Sequence, residues 1–116
     1  MTIKLVLLKS GEEVITNLEE MVVQERTVGY FFNDPCDVKL FKYPSDDKSK
    51  NPYRIQLTQW MPLSEERKIP MVADWVVTIT TPVKQLLDTY TSTLETTNEQ
   101  PETIGDDEQS DVSDSD

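Results

Sequence analysis

Beyond Leu94 the chain has almost nothing to bury, and this limits the size of anything it can fold into. Residues 95–116 contain Ile104 and Val112 among a run of Glu, Asp, Ser, Thr and Gln. A stretch of that composition cannot offset its own ordering entropy, so it reads as a disordered acidic tail. The folded body is expected over residues 1–94, enough for one domain with one core. The tail also holds most of the charge. The net charge is −11 from 22 acids and 11 bases, and nine of the acids but none of the bases fall in 95–116. Residues 1–94 therefore carry thirteen acids against eleven bases, a charge of −2. Acidity argues against nucleic acid as a partner, but only for the tail.

Within the body, apolar residues alternate in short runs broken by turn signals, the pattern of a mainly β fold. Ile3–Leu8 reads as a first strand, and Lys9-Ser10-Gly11-Glu12 as a tight turn with Gly available for positive φ. A second strand is expected from Glu13 to about Gln24, and a third from Thr27 to Phe32. In the third, Gly29 marks a bulge or a close backbone approach, and Asn33-Asp34-Pro35 is expected to end the strand. Val38–Tyr43 is a further strand, Pro44–Pro52 a polar loop, Arg54–Met61 an alternating strand and Ser64–Lys68 a charged turn. Met71–Thr80 reads as the strongest strand, with Ala73, Trp75, Val77 and Ile79 on its buried face and Asp74 turned to solvent or to a subunit boundary.

The period then changes. Thr81-Pro82 is a helix start, with Thr as cap and Pro where a missing N–H costs nothing. Val83, Leu86, Leu87, Tyr90 and Leu94 follow at helical spacing, predicting a helix over about 82–94 with one apolar stripe. A helix this short is marginal alone, so it must dock on the body or on another subunit.

The residue inventory points away from catalysis. The chain has no histidine, which removes the usual general base, the common nucleophile pairs and the commonest metal ligand. Cys36 is the single cysteine and has no CxxC partner, so it reads as a small buried hydrophobe and no intrachain disulfide can form. The adjacent acids Glu12-Glu13, Glu19-Glu20, Asp46-Asp47 and Glu65-Glu66 would point to opposite faces of a strand and do not converge. The expectation is a protein that is not an enzyme, with no cofactor, no metal site and no catalytic residues. Neither a signal peptide nor a membrane-length apolar run is visible, so a soluble cytoplasmic location is expected.

The opening residues carry a more specific pattern: Ile3-x-Leu5-x-Leu7-Leu8-x-x-Gly11-x-x-Val14-x-Thr16-x-Leu18-x-x-Met21. It resembles the first motif of Sm-like (LSm-type) proteins, and among these the divergent bacteriophage type, including that of cyanobacterial phages. The resemblance implies a small, strongly bent antiparallel barrel (Sm-like, SH3-type), here followed by the C-terminal helix and acidic tail. It also implies a homo-oligomeric ring that scaffolds single-stranded RNA, in the host cytoplasm if the chain is of phage origin. Two family features are missing. Val22 and Arg26 stand near the places where Asp and Asn are usual, and the later strands contain no Arg-Gly dipeptide. The family's helix also precedes its barrel.

Two functional readings follow. In the first, edge strands Met71–Thr80 and Arg54–Met61 pair between subunits to close a ring. RNA would then stack on Tyr30, Phe31 or Tyr43, while Arg26, Lys39, Lys42 and Arg54 contact phosphates. Core packing is the stronger reading of the aromatics, and an ordinary mixed surface that of the bases. In the second reading the oligomeric barrel has lost RNA binding and serves as a structural or interaction protein, with the helix face Val83, Leu86, Leu87 and Tyr90 meeting a protein partner.

Overall fold

The structure is a computed structural model that describes residues 1–42 and 52–99. Tyr43, almost all of the Pro44–Pro52 loop and residues 100–116 of the acidic tail lie outside the described residues.

The fold is mainly β: an antiparallel six-stranded sheet with one C-terminal helix. Strand β1 (Ile3–Leu8) turns at Gly11, where φ is +93°, into β2 (Glu13–Val23). A two-residue turn at Gln24-Glu25, both with positive φ as in a type I′ hairpin, leads into β3 (Arg26–Lys42). Then come β4 (Tyr53–Gln59), β5 (Lys68–Val72), a 3-10 turn (Ala73–Trp75), β6 (Val76–Thr80) and helix α1 (Lys84–Glu99). The strand order is β4-β3-β2-β1-β6, with β5 also paired to β3, so the path is open.

Strand β3 does not end at Asn33-Asp34-Pro35 as the sequence suggests. The register against β2 skips there: Ile15 pairs with Cys36 and Asn17 with Asn33, leaving Thr16 opposite Asp34-Pro35. This is a bulge, one of the few places a sheet tolerates Pro, with Asp34 at φ +51°. The buried Thr16 hydroxyl donates to the Asn33 carbonyl at 2.9 Å. The bulge is also where β3 changes partner. Gly29–Asn33 pairs with β5, and Cys36–Lys42 pairs with β4.

The run Met71–Thr80 is likewise not one strand. The 3-10 turn splits it, Asp74 lies exposed in that turn, and the alternation is lost across it. Trp75 (44% exposed) and Val77 (56%) face outward, while Met71, Val76 and Ile79 pack on the core. The split has a geometric consequence. Strands β5 and β6 lie four sheet spacings apart along the order β5-β3-β2-β1-β6, roughly 19 Å if the sheet were flat. A three-residue link spans at most about 14 Å, so the sheet must curl to bring them together. The packing agrees, because Met71 of β5 and Ile79 of β6 touch one cluster, built on Val6, Leu8, Val14 and Phe32.

That cluster fills the concave face. Trp60 packs there too, its ring centroid 6.0 Å from that of Phe32 and its indole N–H donating to Glu12 Oε2 at 3.4 Å. The alternate residues of the same strands form a second cluster on the convex face: Ile15 and Cys36, flanked by Ile3, Leu5, Val38, Ile55 and Leu57. Helix α1 covers it with Leu86 and Tyr90, both buried, and with the partly buried Leu94. The helical stripe is therefore the lid of this chain's own second core. Leu86 and Tyr90 are not on a surface that could meet a partner, because burying them is what docks the helix. Val83 is 68% exposed and Leu87 half-buried. The helix also begins two residues later and ends five residues later than predicted, so Glu95–Glu99 are helical rather than part of a tail.

Candidate functional site

With both faces of the sheet covered, the exposed apolar residues lie at its edges and ends. Strand β6 is one end of the path, and among the described residues it pairs with β1 alone. Its sequence, Val-Val-Thr-Ile-Thr, is β-branched throughout and carries no charge and no proline. Such a strand has no charge or proline to deter a second strand, and its one irregularity is a bulge at Val77, where the register against β1 skips a residue. Strand β5 is also an edge, but Pro70 lacks a donor and Lys68 adds a charge, both devices that blunt an edge. Within β6 Val77 is exposed, as are Trp75 and Val72 (65%) in the run that leads into it, and Val28 (46%) stands beside Gly29, the residue that pairs with Val72. The approach of β5 to β3 is close: a Cβ on Gly29 would sit 2.7 Å from the Met71 carbonyl oxygen. Sequence alone put Trp75 and Val77 inside, although Asp74 in the middle of the run was the available sign of a break.

The five residues expected to contact nucleic acid do not form one site. Arg26 begins β3 and Lys42 ends it, at opposite ends of the strand with the bulge between them. Tyr30 is half-buried and packs on the concave cluster. Phe31 lies under the Lys68 ammonium, 4.6 Å from its ring centroid, and Lys68 also pairs with Glu19 at 3.3 Å. In the β3–β4 ribbon, Lys39 pairs with Gln56 and Phe41 with Arg54 in register, so Lys39, Phe41 and Arg54 share one face. Lys42 is on the other face, 5.9 Å from the Tyr53 ring centroid. Lys39 lies 3.7 Å from Asp37, and Phe41 is 41% exposed. The ribbon thus brings together two of the expected cations and adds an aromatic ring that the sequence reading had not singled out.

The titratable groups that the fold perturbs are structural. Burial, and secondarily the nearby Asp34 carboxylate, pushes the Cys36 thiol up to about 11. Burial also raises Tyr90 well above the ordinary phenol value, with smaller contributions from Cys36 and Asp34. The Tyr90 hydroxyl donates to the Asp34 carbonyl at 2.8 Å, pinning the helix to the bulge. Lys84 is raised by its hydrogen bond to Asp88, one helical turn on. A thiol held protonated is a poor nucleophile, so Cys36 reads as core. Among the described residues, no group of three or more His, Cys, Asp or Glu side chains could hold a metal ion, and no helix is long and apolar enough to cross a membrane.

A family model described as "Family of unknown function (DUF6561)" matches residues 1–95, and the chain belongs to that family. No curated protein matches it.

Proposed function

We propose that this member of a family without an assigned function is an assembly module, whose copies join sheet edge to sheet edge into a closed homo-oligomer of Sm-like type. The observation that carries the reading is the open β6 edge. Its five β-branched residues carry no charge and no proline, one of them, Val77, is exposed, and so are Val72 and Trp75 just before the strand. Pairing that edge between subunits satisfies its backbone groups and covers the apolar patch in one step. The curl imposed by the short β5–β6 link supports a small bent barrel as the repeating unit. Strand β4, at the other end of the path, is the candidate partner edge, and its alternation of Arg54, Gln56 and Thr58 with Ile55 and Leu57 suits a solvent-facing seam. Light scattering on the purified chain tests the reading: a discrete oligomer is expected, and a monomer at tens of micromolar would remove it.

A ring of this kind could scaffold RNA, and Lys39, Phe41 and Arg54 on one ribbon face are the feature that favours this second reading. Short oligo-U should then raise fluorescence anisotropy in a salt-dependent way, and Phe41→Ala should weaken binding about tenfold, the loss of one stacked base. No anisotropy change at low salt would leave assembly without RNA, in keeping with the motif residues the sequence lacks.

A further inference from the structure

A cleft of about 600 Å3 opens between the C-terminal half of α1, the bulge in β3, the end of β4 and the turn that leads into β5. Its apolar lining includes Pro35, Leu57, Trp60, Ile69 and Leu94. Its rim is acidic: Glu65 and Glu66 line it, and the exposed Glu95 follows Leu94 on the helix. Arg67 is the cation of the lining, and Asp34 holds it in an ion pair. Beside the cleft, the turn carries Met61 at 50% exposure and Leu63 at 100%. An apolar lining with a carboxylate rim selects a definite chemistry. Apolar side chains of an occupant gain by leaving water, and cationic heads on flexible stems reach the rim without being buried. A polyanion such as RNA would meet repulsion from the same rim, and a neutral apolar ligand would leave the carboxylates unused.

We propose that this cleft docks a basic amphipathic segment of a partner protein. Its apolar face lies against Leu57, Trp60, Ile69 and Leu94, and its Lys or Arg heads meet Glu65 and Glu66. Strand β6 lines no part of the cleft, while Leu57 and Gln59 of β4 do, so the cleft shares one strand with the proposed assembly seam.

Trp60 lies in the cleft and provides the readout. In the full chain bearing Trp75→Phe it is the single remaining tryptophan. Titrating an amphipathic helical peptide of leucine and lysine should give a saturable blue shift of Trp60 emission. The matched leucine–glutamate peptide should give none. Glu65→Lys/Glu66→Lys, at exposed positions that leave the core untouched, should weaken the lysine peptide about tenfold or more. The acidic residues 100–116 are present in both proteins, so diffuse attraction to them cancels in the comparison. A shift absent with the lysine peptide, equal with the glutamate peptide, or unchanged within about twofold in the charge-reversed variant would overturn the proposal.

Discussion

One face of the sheet is covered by residues of the sheet's own strands, the other by a helix that arrives last in the chain. On the concave face, Val6, Leu8, Val14 and Phe32 are covered by residues of strands β5 and β6, drawn together by a three-residue turn. On the convex face, Ile15 and Cys36 wait for Leu86 and Tyr90. Alternate residues of one strand thus depend on unrelated parts of the chain. Concave packing is a matter of topology, since no separate element is needed once the strands pair. Convex packing depends on an appended element with weak intrinsic helicity, rich in threonines that donate to backbone carbonyls four residues back. Because both faces are satisfied within the chain, the surface left for partners is at edges and ends.

The sharpest way to break the comparison is at Tyr90, which is fully buried. Tyr90→Ala should cost about 3–5 kcal/mol by the cavity it leaves, and should release α1 while the concave cluster persists. Loss of the helical circular dichroism signal ahead of the β-sheet signal would show this order; a single concerted loss would mean that the faces are not separable. Gly29→Ala attacks the concave side. The added methyl meets a backbone oxygen, so β3 and β5 must part, at a cost of about 1–3 kcal/mol. A lowered urea midpoint with helicity retained up to the transition is the expected result.

The smallest effect is electrostatic and belongs to the convex face. The folded protein holds the Cys36 proton more tightly than the unfolded chain, since its thiol is raised from 9.0 to about 11. That contribution to stability is intact below pH 9 and is lost as pH rises through 11, and Tyr90 acts in the same direction. Denaturation midpoints should therefore fall across this window, and Cys36→Ala should flatten part of the fall. Profiles of equal slope in the two proteins would assign the effect elsewhere.

Much of this was legible in the residues. Ile3–Leu8, the Gly11 turn, the second strand and the Leu86–Tyr90–Leu94 stripe follow from period and turn chemistry alone. Gly29 announced both its bulge and its close approach. What stayed hidden was set by pairing. Asn33-Asp34-Pro35 has the chemistry of a turn, yet strands on both sides hold it in the sheet as a bulge. The apolar run 71–80 has the composition of one strand but crosses from one end of the sheet to the other. The helix continues past Leu94 without an apolar signal to predict it. The candidate site was less legible still. Exposure of Trp75 and Val77 depends on where the run breaks, and the cleft beside Trp60 on three segments distant in sequence.

If the exposed patch beside β6 is a seam between copies, a charge placed on that edge should abolish assembly and leave the fold alone. Val77 and Thr78 are both exposed, so Val77→Lys/Thr78→Lys removes no core contact. Light scattering on the parent chain and on this variant is the direct measurement. The account predicts a discrete oligomer for the parent and a folded monomer for the variant. Equal masses for the two, whether both oligomeric or both monomeric, would contradict it.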